Sequence, residues 1–361
     1  MRVFITPLDW GLGHATRCIP VIRECQERNC EVVLGGTGDS LALLRQEFPG
    51  LSYVNLPGYS PRYPLNGSMV WSMVFQLPRF LRAIASEHKV VDTIIREKGI
   101  NLLISDNRYG CWSSRIPSMF ITHQSNILMP KRFGWMKHFV RRANKRMMKN
   151  FDACWIPDFP GDHSLAGKLI SSDSFSEDVH KHFIGPLSRF TTFNKLEKKY
   201  DVIAIFSGPE PQRSVLEKIV VPQLQASSLK YLAIRGLPSA TSVQEDERVV
   251  NFLLSGPLQE AIEAADLIIA RSGYSTVMDM HALAKKAVFI PTPGQTEQEY
   301  LAKRLMDKGI AFFMKQDEFS LKTVLEQSRK FSGFGILEKN NYLKDVLDKF
   351  VGVKSMMKEI H

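Results

Sequence analysis

A short motif near the N-terminus places a histidine where it can act on a bound ligand. Residues 9–17 read Asp-Trp-Gly-Leu-Gly-His-Ala-Thr-Arg and follow a predicted strand at residues 2–6. Gly11 and Gly13 allow a tight turn, and the next helix offers unpaired N–H groups and a partial positive charge. His14 then lies at the mouth of the site, where an imidazole can serve as a general base. A plain strand–helix turn with a surface histidine is the alternative interpretation.

Two turns in the second half of the chain have compositions that suit phosphate and sugar groups. The turn that begins with Ser207 and Gly208 follows a predicted strand and suits a diphosphate, although Pro209 removes an N–H donor and Glu210 adds negative charge. Residues 291–300 are rich in amides and carboxylates, which can bind the hydroxyl groups of a sugar. Either segment can instead be an ordinary polar loop.

A third turn in this half of the chain carries a carboxylate just inside a predicted helix. Ser272 and Gly273 occupy the turn. The hydroxyl of Ser275 or Thr276 is placed to cap the helix, with Asp279 completing a capping box. The carboxylate of Asp279 can alternatively accept two hydrogen bonds from the diol of a ribose.

The elements that position these turns alternate between strands and helices. The helices with the clearest patterns are predicted at residues 16–28, 40–47, 135–149 and 342–351. The strands are predicted at residues 2–6, 31–35, 101–105, 118–122, 201–206, 230–234, 248–253, 266–270 and 287–291. Such βαβ alternation predicts an α/β protein with parallel, doubly wound sheets, which bind ligands at the carboxyl ends of their strands.

The alternation pauses near Gly185-Pro186-Leu187, which predicts a linker. We therefore expect two Rossmann-like domains that face a cleft, one at residues 1–187 and one at residues 188–340. A helix in residues 341–361 either closes the second domain or crosses back to the first. A length of 361 residues suits two domains.

The composition narrows the partners. Lys and Arg number 47 against 37 Asp and Glu, and the resulting charge of +10 favours anionic partners. The five cysteines lack zinc-like spacing, which predicts reduced thiols in a cytoplasmic protein. The sequence has no Asp-x-Asp motif and no apolar run of about 18 residues, so we expect no metal, no cofactor and no membrane-spanning helix.

Residues 130–151 concentrate positive charge, with eight Lys or Arg, one His and no acidic residue. On a helix, the basic side chains lie opposite an apolar face formed by Trp135, Met136, Phe139, Val140, Ala143, Met147 and Phe151. The favoured interpretation is a helix that packs this apolar face into the core. The alternative is contact with an anionic membrane. Nucleic-acid binding is a third choice that nothing else in the sequence supports.

Together these motifs resemble GT-B fold glycosyltransferases, especially the lipid-linked N-acetylglucosaminyltransferase of peptidoglycan synthesis and its relatives. The resemblance covers most of the chain and is weak between about residues 40 and 95. The residues that carry it are Arg271-Ser272-Gly273, Thr276-Val277, Asp279, Phe289-Ile290-Pro291 and Gln298-Glu299-Tyr300, and more loosely Gly11-Leu12-Gly13-His14 and residues 120–126.

The resemblance implies roles for individual residues. His14 would act as base or orienting group on the acceptor side, near Gly13, Tyr109 and Asn126, and Asp106 is the alternative base. The donor-binding residues would be Ser207, Gly208, Arg213, Leu254, Arg271, Ser272, Gly273, Asp279, Gln298 and Glu299. Among these, Asp279 would hold the ribose, Leu254 would lie near the uracil, and Gln298 and Glu299 would bind the sugar.

The implied function is inverting, metal-independent transfer of a sugar, such as an N-acetylhexosamine, from a UDP-sugar to a glycan or lipid-linked acceptor. The enzyme would work in the cytoplasm, at the inner face of the plasma membrane if residues 130–151 contact anionic lipid. Residues 13–18 also resemble the Gly-His-x-x-Arg-Cys opening of UDP-sugar hydrolases of nonulosonic acid synthesis. The same motifs are also compatible with a UDP-sugar epimerase of this fold and with a non-catalytic nucleotide-sugar-binding protein.

Overall fold

The computed structural model contains two parallel β-sheets, one in each half of the chain. It describes residues 1–59, 69–128, 131–171, 174–175, 179–190, 196–240, 246–336 and 341–357. All strand pairings within both sheets are parallel, which confirms the predicted α/β class with doubly wound halves.

The first sheet has seven strands in the order β3-β2-β1-β4-β5-β6-β7. Its strands are β1 (Arg2–Pro7), β2 (Glu31–Gly36), β3 (Ser52–Asn55), β4 (Leu102–Asp106), β5 (Ser118–Ile121), β6 (Ala153–Ile156) and β7 (His180–Phe183). The helices of this half are α1 (Leu12–Glu27), α2 (Gly38–Glu47), α3 (Met69–Lys98) and α4 (Lys137–Met148). The chain order reverses direction beside β1, so the loop after β1 lies at a topological switch point, where such sheets bind ligands.

The second sheet has six strands in the order β10-β9-β8-β11-β12-β13. Its strands are β8 (Tyr200–Ile205), β9 (Tyr231–Ile234), β10 (Val249–Val250), β11 (Ala265–Ala270), β12 (Ala287–Phe289) and β13 (Phe312–Phe313). The helices of this half are α5 (Gln212–Gln225), α6 (Ser255–Glu263), α7 (Tyr274–Ala282), α8 (Thr296–Asp307) and α9 (Leu321–Ser328), followed by α10 (Tyr342–Met357). The turns that the sequence marked follow β8, β11 and β12, at the carboxyl ends of neighbouring strands.

The last helix, α10, packs against the first domain. The ring of Phe350 lies 5.8 Å from Trp155 of β6 and 5.6 Å from His182 of β7. Asp348 accepts a hydrogen bond of 2.8 Å from Nε of Arg28, at the end of α1. Of the two arrangements predicted for this helix, the structure has the one in which the chain crosses back.

Helix α4 docks through a different face from the one predicted. Trp135 and Phe139 are 77% and 67% exposed, whereas Asn144 and Met148 are buried. The amide of Asn144 accepts a hydrogen bond from the hydroxyl of Tyr109 and donates one to the carbonyl of Ser125. The expectation that Trp135 and Phe139 pack into the core is wrong, because a polar anchor on another side of the helix holds it to the domain.

The five cysteines are buried and unpaired, as predicted. Within the described parts of the chain, we find no helix with the length and apolar character needed to cross a bilayer.

Candidate active site

A buried ion pair lies behind the loop that follows β1. The guanidinium group of Arg17, on α1, binds both carboxylate oxygens of Asp106, at the end of β4, with Nε 2.6 Å from Oδ2 and Nη2 bonded to Oδ1. The two side chains are 1% and 0% exposed. Burial acts to raise the pKa of Asp106, but Arg17 and His14 outweigh it and hold this pKa at about 2. Asp106 is therefore ionised and fully engaged at neutral pH.

His14 contacts this ion pair and is partly exposed. Its Nδ1 lies 2.9 Å from Nη2 of Arg17 and 3.4 Å from Oδ1 of Asp106, and its side chain is 15% exposed. Burial and the neighbouring charge of Arg17 lower the pKa of His14. The ring is therefore neutral at pH 7, and its Nε2 lies on the edge opposite the ion pair.

The cluster continues into the second domain through His123. Nδ1 of His123, in the loop after β5, lies 2.7 Å from Nη1 of Arg17, and Nε2 lies 2.9 Å from a carboxylate oxygen of Glu297, on α8. Tyr274, the first residue of α7, stacks on the His123 ring with centroids 4.5 Å apart and an interplanar angle of 6°. Two helices of the second domain thus complete a side-chain cluster that begins in the first.

Further hydrogen bonds join α8 of the second domain to the first domain. The hydroxyl of Thr296 donates to the carbonyl of Leu128 at 2.9 Å, and one turn later the hydroxyl of Tyr300 accepts from the backbone N–H of Lys168 at 2.8 Å. Glu297 lies between these two contacts, which hold this part of α8 against the first domain.

The N-termini of α1 and α7 meet at the cleft. The hydroxyl of Ser275 donates to the carbonyl of Gly13 at 2.8 Å. A Cβ added at Gly13 would lie only 2.9 Å from the hydroxyl oxygen of Ser275, so this close approach requires glycine. Gly11 and Gly273 are the N-cap residues, and among the described residues we find no side-chain cap on either helix. Both helix ends therefore direct N–H donors and partial positive charge toward the cleft.

A cavity of about 460 Å³ adjoins this meeting point and is lined from both domains. The first domain contributes the loop at Asp9 and Trp10 and the start of α2, and the second contributes Gly208 and Arg213 at the start of α5. Gly208 has a φ of 99°, a conformation that favours glycine. The volume is in the range of a small-molecule site.

Comparison with known proteins places this architecture among glycosyltransferases. Residues 215–340 match the model of the glycosyltransferase family 28 C-terminal domain. An uncharacterized glycosyltransferase of Methanosarcina acetivorans is 23% identical over 338 residues, which cover 86% of this chain and 84% of the relative. The Bacillus cereus UDP-N-acetylglucosamine--N-acetylmuramyl-(pentapeptide) pyrophosphoryl-undecaprenol N-acetylglucosamine transferase 1 is 23% identical over 387 residues, which cover 97% of this chain and all of the relative.

Solved structures show the same fold. The crystal structure of Acinetobacter baumannii MurG superposes with a TM-score of 0.55 at 14% identity, covering 97% of this chain and 99% of that one. The glycosyltransferase SnogD from Streptomyces nogalater gives a TM-score of 0.58 at 16% identity, covering 90% and 91%. This chain is a GT-B glycosyltransferase. It resembles the MurG family, as the sequence motifs indicate.

The predicted acceptor-side residues of the glycosyltransferase differ in how they are engaged. His14 and Asp106 come together, and Gly13 lies against α7. The hydroxyl of Tyr109 donates to Asn144, and the amide of Asn126 donates to the carbonyl of Lys168 at 2.8 Å. Both side chains thus bond within the first domain, Tyr109 to α4 and Asn126 to the segment before β7.

Two of the predicted donor-side residues, Arg271 and Arg213, are buried and paired within the second domain. Arg271 donates to the carbonyls of Ile290 and Pro291 and to the side chain of Gln316. Arg213 is 4% exposed and pairs with Glu217 and with Glu210. These guanidinium groups hold the turns in place, so they reach a diphosphate only after rearrangement.

Asp279 does not cap α7, which corrects one of the two interpretations of its turn. The helix begins at Tyr274 with Gly273 as N-cap, so Asp279 lies beyond its first turn. The carboxylate accepts 2.7 Å from the hydroxyl of Ser188 and lies 3.4 Å from Nε of Arg189, both in the linker. A ribose diol would have to replace these contacts.

The remaining donor-side residues line or support the turns. Gln298 is buried, and its side-chain oxygen accepts from the N–H of Thr292 at 2.8 Å. The backbone carbonyl of Gln298 accepts from the hydroxyl of Ser272. Glu299 accepts from the N–H of Gly294 at 3.0 Å. Leu254 is the N-cap residue of α6, and Ser207 precedes Gly208 in the turn after β8.

Four members of the cluster were missed as site residues in the sequence: Arg17, His123, Tyr274 and Glu297. Arg17 follows His14 by three positions on one helix, a spacing that places both on the same face and offers a usable signal. His123 lies 106 positions from Arg17 and approaches it through the strand order of the first sheet, whereas Tyr274 and Glu297 approach from the second domain.

Proposed function

We propose that this glycosyltransferase transfers a sugar, most simply an N-acetylhexosamine, from a UDP-sugar to a glycan or lipid-linked acceptor with inversion and without a metal ion. The main support is the neutral His14 held against the buried Arg17–Asp106 pair, beside two uncapped helix N-termini at a two-domain cleft. The names of the relatives support the donor and acceptor: the Bacillus cereus and Glaesserella parasuis enzymes are named for UDP-N-acetylglucosamine and an undecaprenol-linked acceptor.

His14 is the proton acceptor in this proposal. As the acceptor oxygen attacks the anomeric carbon, its proton passes to Nε2 of His14, and the bond from that carbon to the UDP oxygen breaks. A single displacement from the face opposite UDP inverts the anomeric centre. Nδ1 must then carry a proton directed at Asp106, because Nε2 accepts a proton only in that tautomer. Asp106 stabilises the imidazolium that forms and is too deeply buried to act as the base itself.

In this proposal the departing diphosphate is stabilised by N–H groups at the start of α7 and in the turn at Ser207 and Gly208. Such preorganised donors neutralise developing charge in the way that a metal ion does elsewhere. Among the described residues, no group of three or more His, Cys, Asp or Glu side chains is arranged for a metal ion. We expect the turnover rate to be the same with excess EDTA as with magnesium.

The test is UDP release from a panel of UDP-sugars, with and without an extract that contains lipid-linked and glycan acceptors. Release that depends on the acceptor supports transfer and identifies the donor. If no UDP-sugar gives release or binds, the proposed donor class is wrong.

A UDP-sugar hydrolase is the second candidate, because one observation favours it. The residues that resemble the hydrolase opening, His14, Arg17 and Cys18, all contact Asp106, the thiol sulfur of Cys18 at 3.7 Å. Release of UDP at the same rate with and without acceptor, with free sugar as product, would favour hydrolysis over transfer.

Contact with an anionic membrane is proposed for the surface around α4. Trp135 and Phe139 are exposed there beside Lys137 and Arg142, which are also exposed. Aromatic side chains among cations suit the interface of an anionic bilayer. We expect the protein to sediment with phosphatidylglycerol vesicles and to remain in solution with phosphatidylcholine vesicles or in high salt.

A further inference from the structure

The hydrogen bonds of Arg17 determine which nitrogen of His123 carries a proton. A guanidinium group only donates hydrogen bonds, so Nδ1 of His123, which lies 2.7 Å from Nη1, must be an unprotonated acceptor. The proton therefore sits on Nε2, which faces the carboxylate of Glu297 at 2.9 Å. Although burial opposes it, His123 and Arg17 lower the pKa of Glu297, which keeps this carboxylate an acceptor. His123 is thus held as the Nε2–H tautomer from both sides.

Arg17 also determines which ring nitrogen of His14 carries the proton. Nη2 of Arg17 has two hydrogens, and one is used by Oδ1 of Asp106. The second is directed at Nδ1 of His14 at 2.9 Å, closer than Asp106 at 3.4 Å. Nδ1 of His14 is therefore also an acceptor, and its proton also sits on Nε2. In this arrangement His14 presents an N–H group to the cleft and has no lone pair there to take a proton.

Glu297 maintains this arrangement from the opposite domain. Because its carboxylate requires a donor, it fixes Nδ1 of His123 as the acceptor for Nη1 of Arg17. That bond, together with the two to Asp106, fixes the plane of the guanidinium group and directs the last Nη2 hydrogen at His14. Without Glu297, the Nε2–H of His123 has no acceptor, so the ring can turn away from Nη1 of Arg17 and take either tautomer. The Glu297 side chain is 25% exposed, so a ligand in the cleft can reach it.

We propose that Glu297 is a positioning residue that locks His14 in a resting proton arrangement, and that a hydroxyl of the acceptor other than the attacking one releases the lock by donating to Glu297 in place of His123. This inference rests on the proposed function of His14 as the base. In hydrolysis, water would bond to the anomeric carbon, the carbon–oxygen bond to UDP would break, and the water proton would go to Nε2 of His14. Since Nε2 is already protonated in the locked state, the lock suppresses loss of the donor to water until an acceptor is present. On release, Nε2 of His14 gives its proton to solvent and Nδ1 takes one that is directed at Asp106, so Nε2 is free to accept the proton of the attacking hydroxyl.

The proton positions can be read directly from the ¹⁵N NMR spectrum of the histidine rings, without any substrate. We expect His14 and His123 of the wild-type protein to be protonated on Nε2 alone. In Glu297→Ala both rings should shift toward a mixture of tautomers. Glu297→Gln, whose amide oxygen still accepts from His123, should keep the wild-type spectrum. The matched control is Asp307→Asn, a carboxylate on the same helix that is 55% exposed and should change neither ring.

A wild-type ring with its proton on Nδ1, or a Glu297→Ala spectrum identical to the wild type, would overturn the proposal. The second measurement is the ratio of UDP released without acceptor to UDP released with it. We expect this ratio to rise about tenfold in Glu297→Ala and to stay unchanged in Asp307→Asn. An unchanged or lower ratio in Glu297→Ala, with both rates reduced together, overturns the lock. If no variant releases UDP from any UDP-sugar, the proposed function fails and the NMR result alone decides on the lock.

Discussion

The cleft and the surface of α4 differ in which side chains they bury: the cleft buries charged groups, and α4 exposes aromatic rings. Both arrangements are uncommon in proteins. In the cleft, Arg17 and Asp106 are charged and are 1% and 0% exposed. On α4 and the turn before it, Trp135 and Phe139 are apolar and are 77% and 67% exposed. Burying charge costs desolvation, and exposing aromatic rings forgoes hydrophobic stabilisation. Folding alone explains neither placement, so the predictions below test the ligands that we propose for each region.

The largest expected effect is on the cleft side of this comparison. Arg17→Met leaves Asp106 as a buried carboxylate without its partner, so we expect a loss of about 3–5 kcal/mol in the free energy of unfolding. Lys303→Met breaks an exposed pair with Asp307 and should change that free energy by about 0.5 kcal/mol or less. Urea denaturation measures the free energy of unfolding of both variants. Equal losses in the two would contradict the stronger role that we assign to the buried ion pair.

On the α4 side, the expected effect is on binding and not on folding. Trp135→Ser combined with Phe139→Ser should weaken binding to phosphatidylglycerol vesicles by about 2 kcal/mol, roughly thirtyfold, because two aromatic side chains no longer enter the interface. The free energy of unfolding should stay within about 0.5 kcal/mol of the wild type, since both rings are already exposed. Ile336→Ala, which alters another exposed apolar side chain, is the control. Unchanged vesicle binding would contradict the membrane proposal.

A smaller effect is expected at His281, which shows what burial does to a titratable group without a charged partner. Neither ring nitrogen has a hydrogen-bond partner among the described residues, and Phe159 and Phe334 pack edge-on against the ring. Burial lowers the pKa of His281 to about 4. The unfolded chain therefore binds a proton at a higher pH than the folded chain, so stability is lost as the pH falls from about 6.5 toward 4.

His281→Phe should reduce that acid-side loss by about 1–2 kcal/mol, because the ring that must remain neutral is gone. The measurement is urea denaturation at pH 7 and at pH 4.5 for both proteins. The same pH dependence in the variant would show that other groups cause the loss.

The sequence predicts the position of the cleft better than its chemistry. The strand–turn–helix pattern correctly places the marked loops at strand ends, because parallel sheets bring those ends to one edge. It does not reveal that Glu297 reaches His123, since that contact depends on how two separately folded halves close. The resemblance also assigns Arg271 to donor binding, whereas in the structure its guanidinium group binds the carbonyls of Ile290 and Pro291.

Several elements lie beyond what periodicity can show. Helix α3 contains Pro78, which argues locally against a continuous helix, and β7 is a short edge strand that reads His-Lys-His-Phe. For α4 the apolar stripe is visible in the sequence, but the hydrogen bonds of Asn144 decide which face docks. Propensity and pattern thus identify most of the core strands, although not the buried β6, and leave tertiary contacts to determine the rest.

The most direct test of the cleft as the catalytic centre is the kinetics of His14→Ala. We expect kcat/KM for transfer to fall by roughly 10²–10⁴, with calorimetric binding of UDP unchanged, because His14 takes the acceptor proton and does not hold the nucleotide. A loss of less than about tenfold would contradict the assignment of His14 as the base.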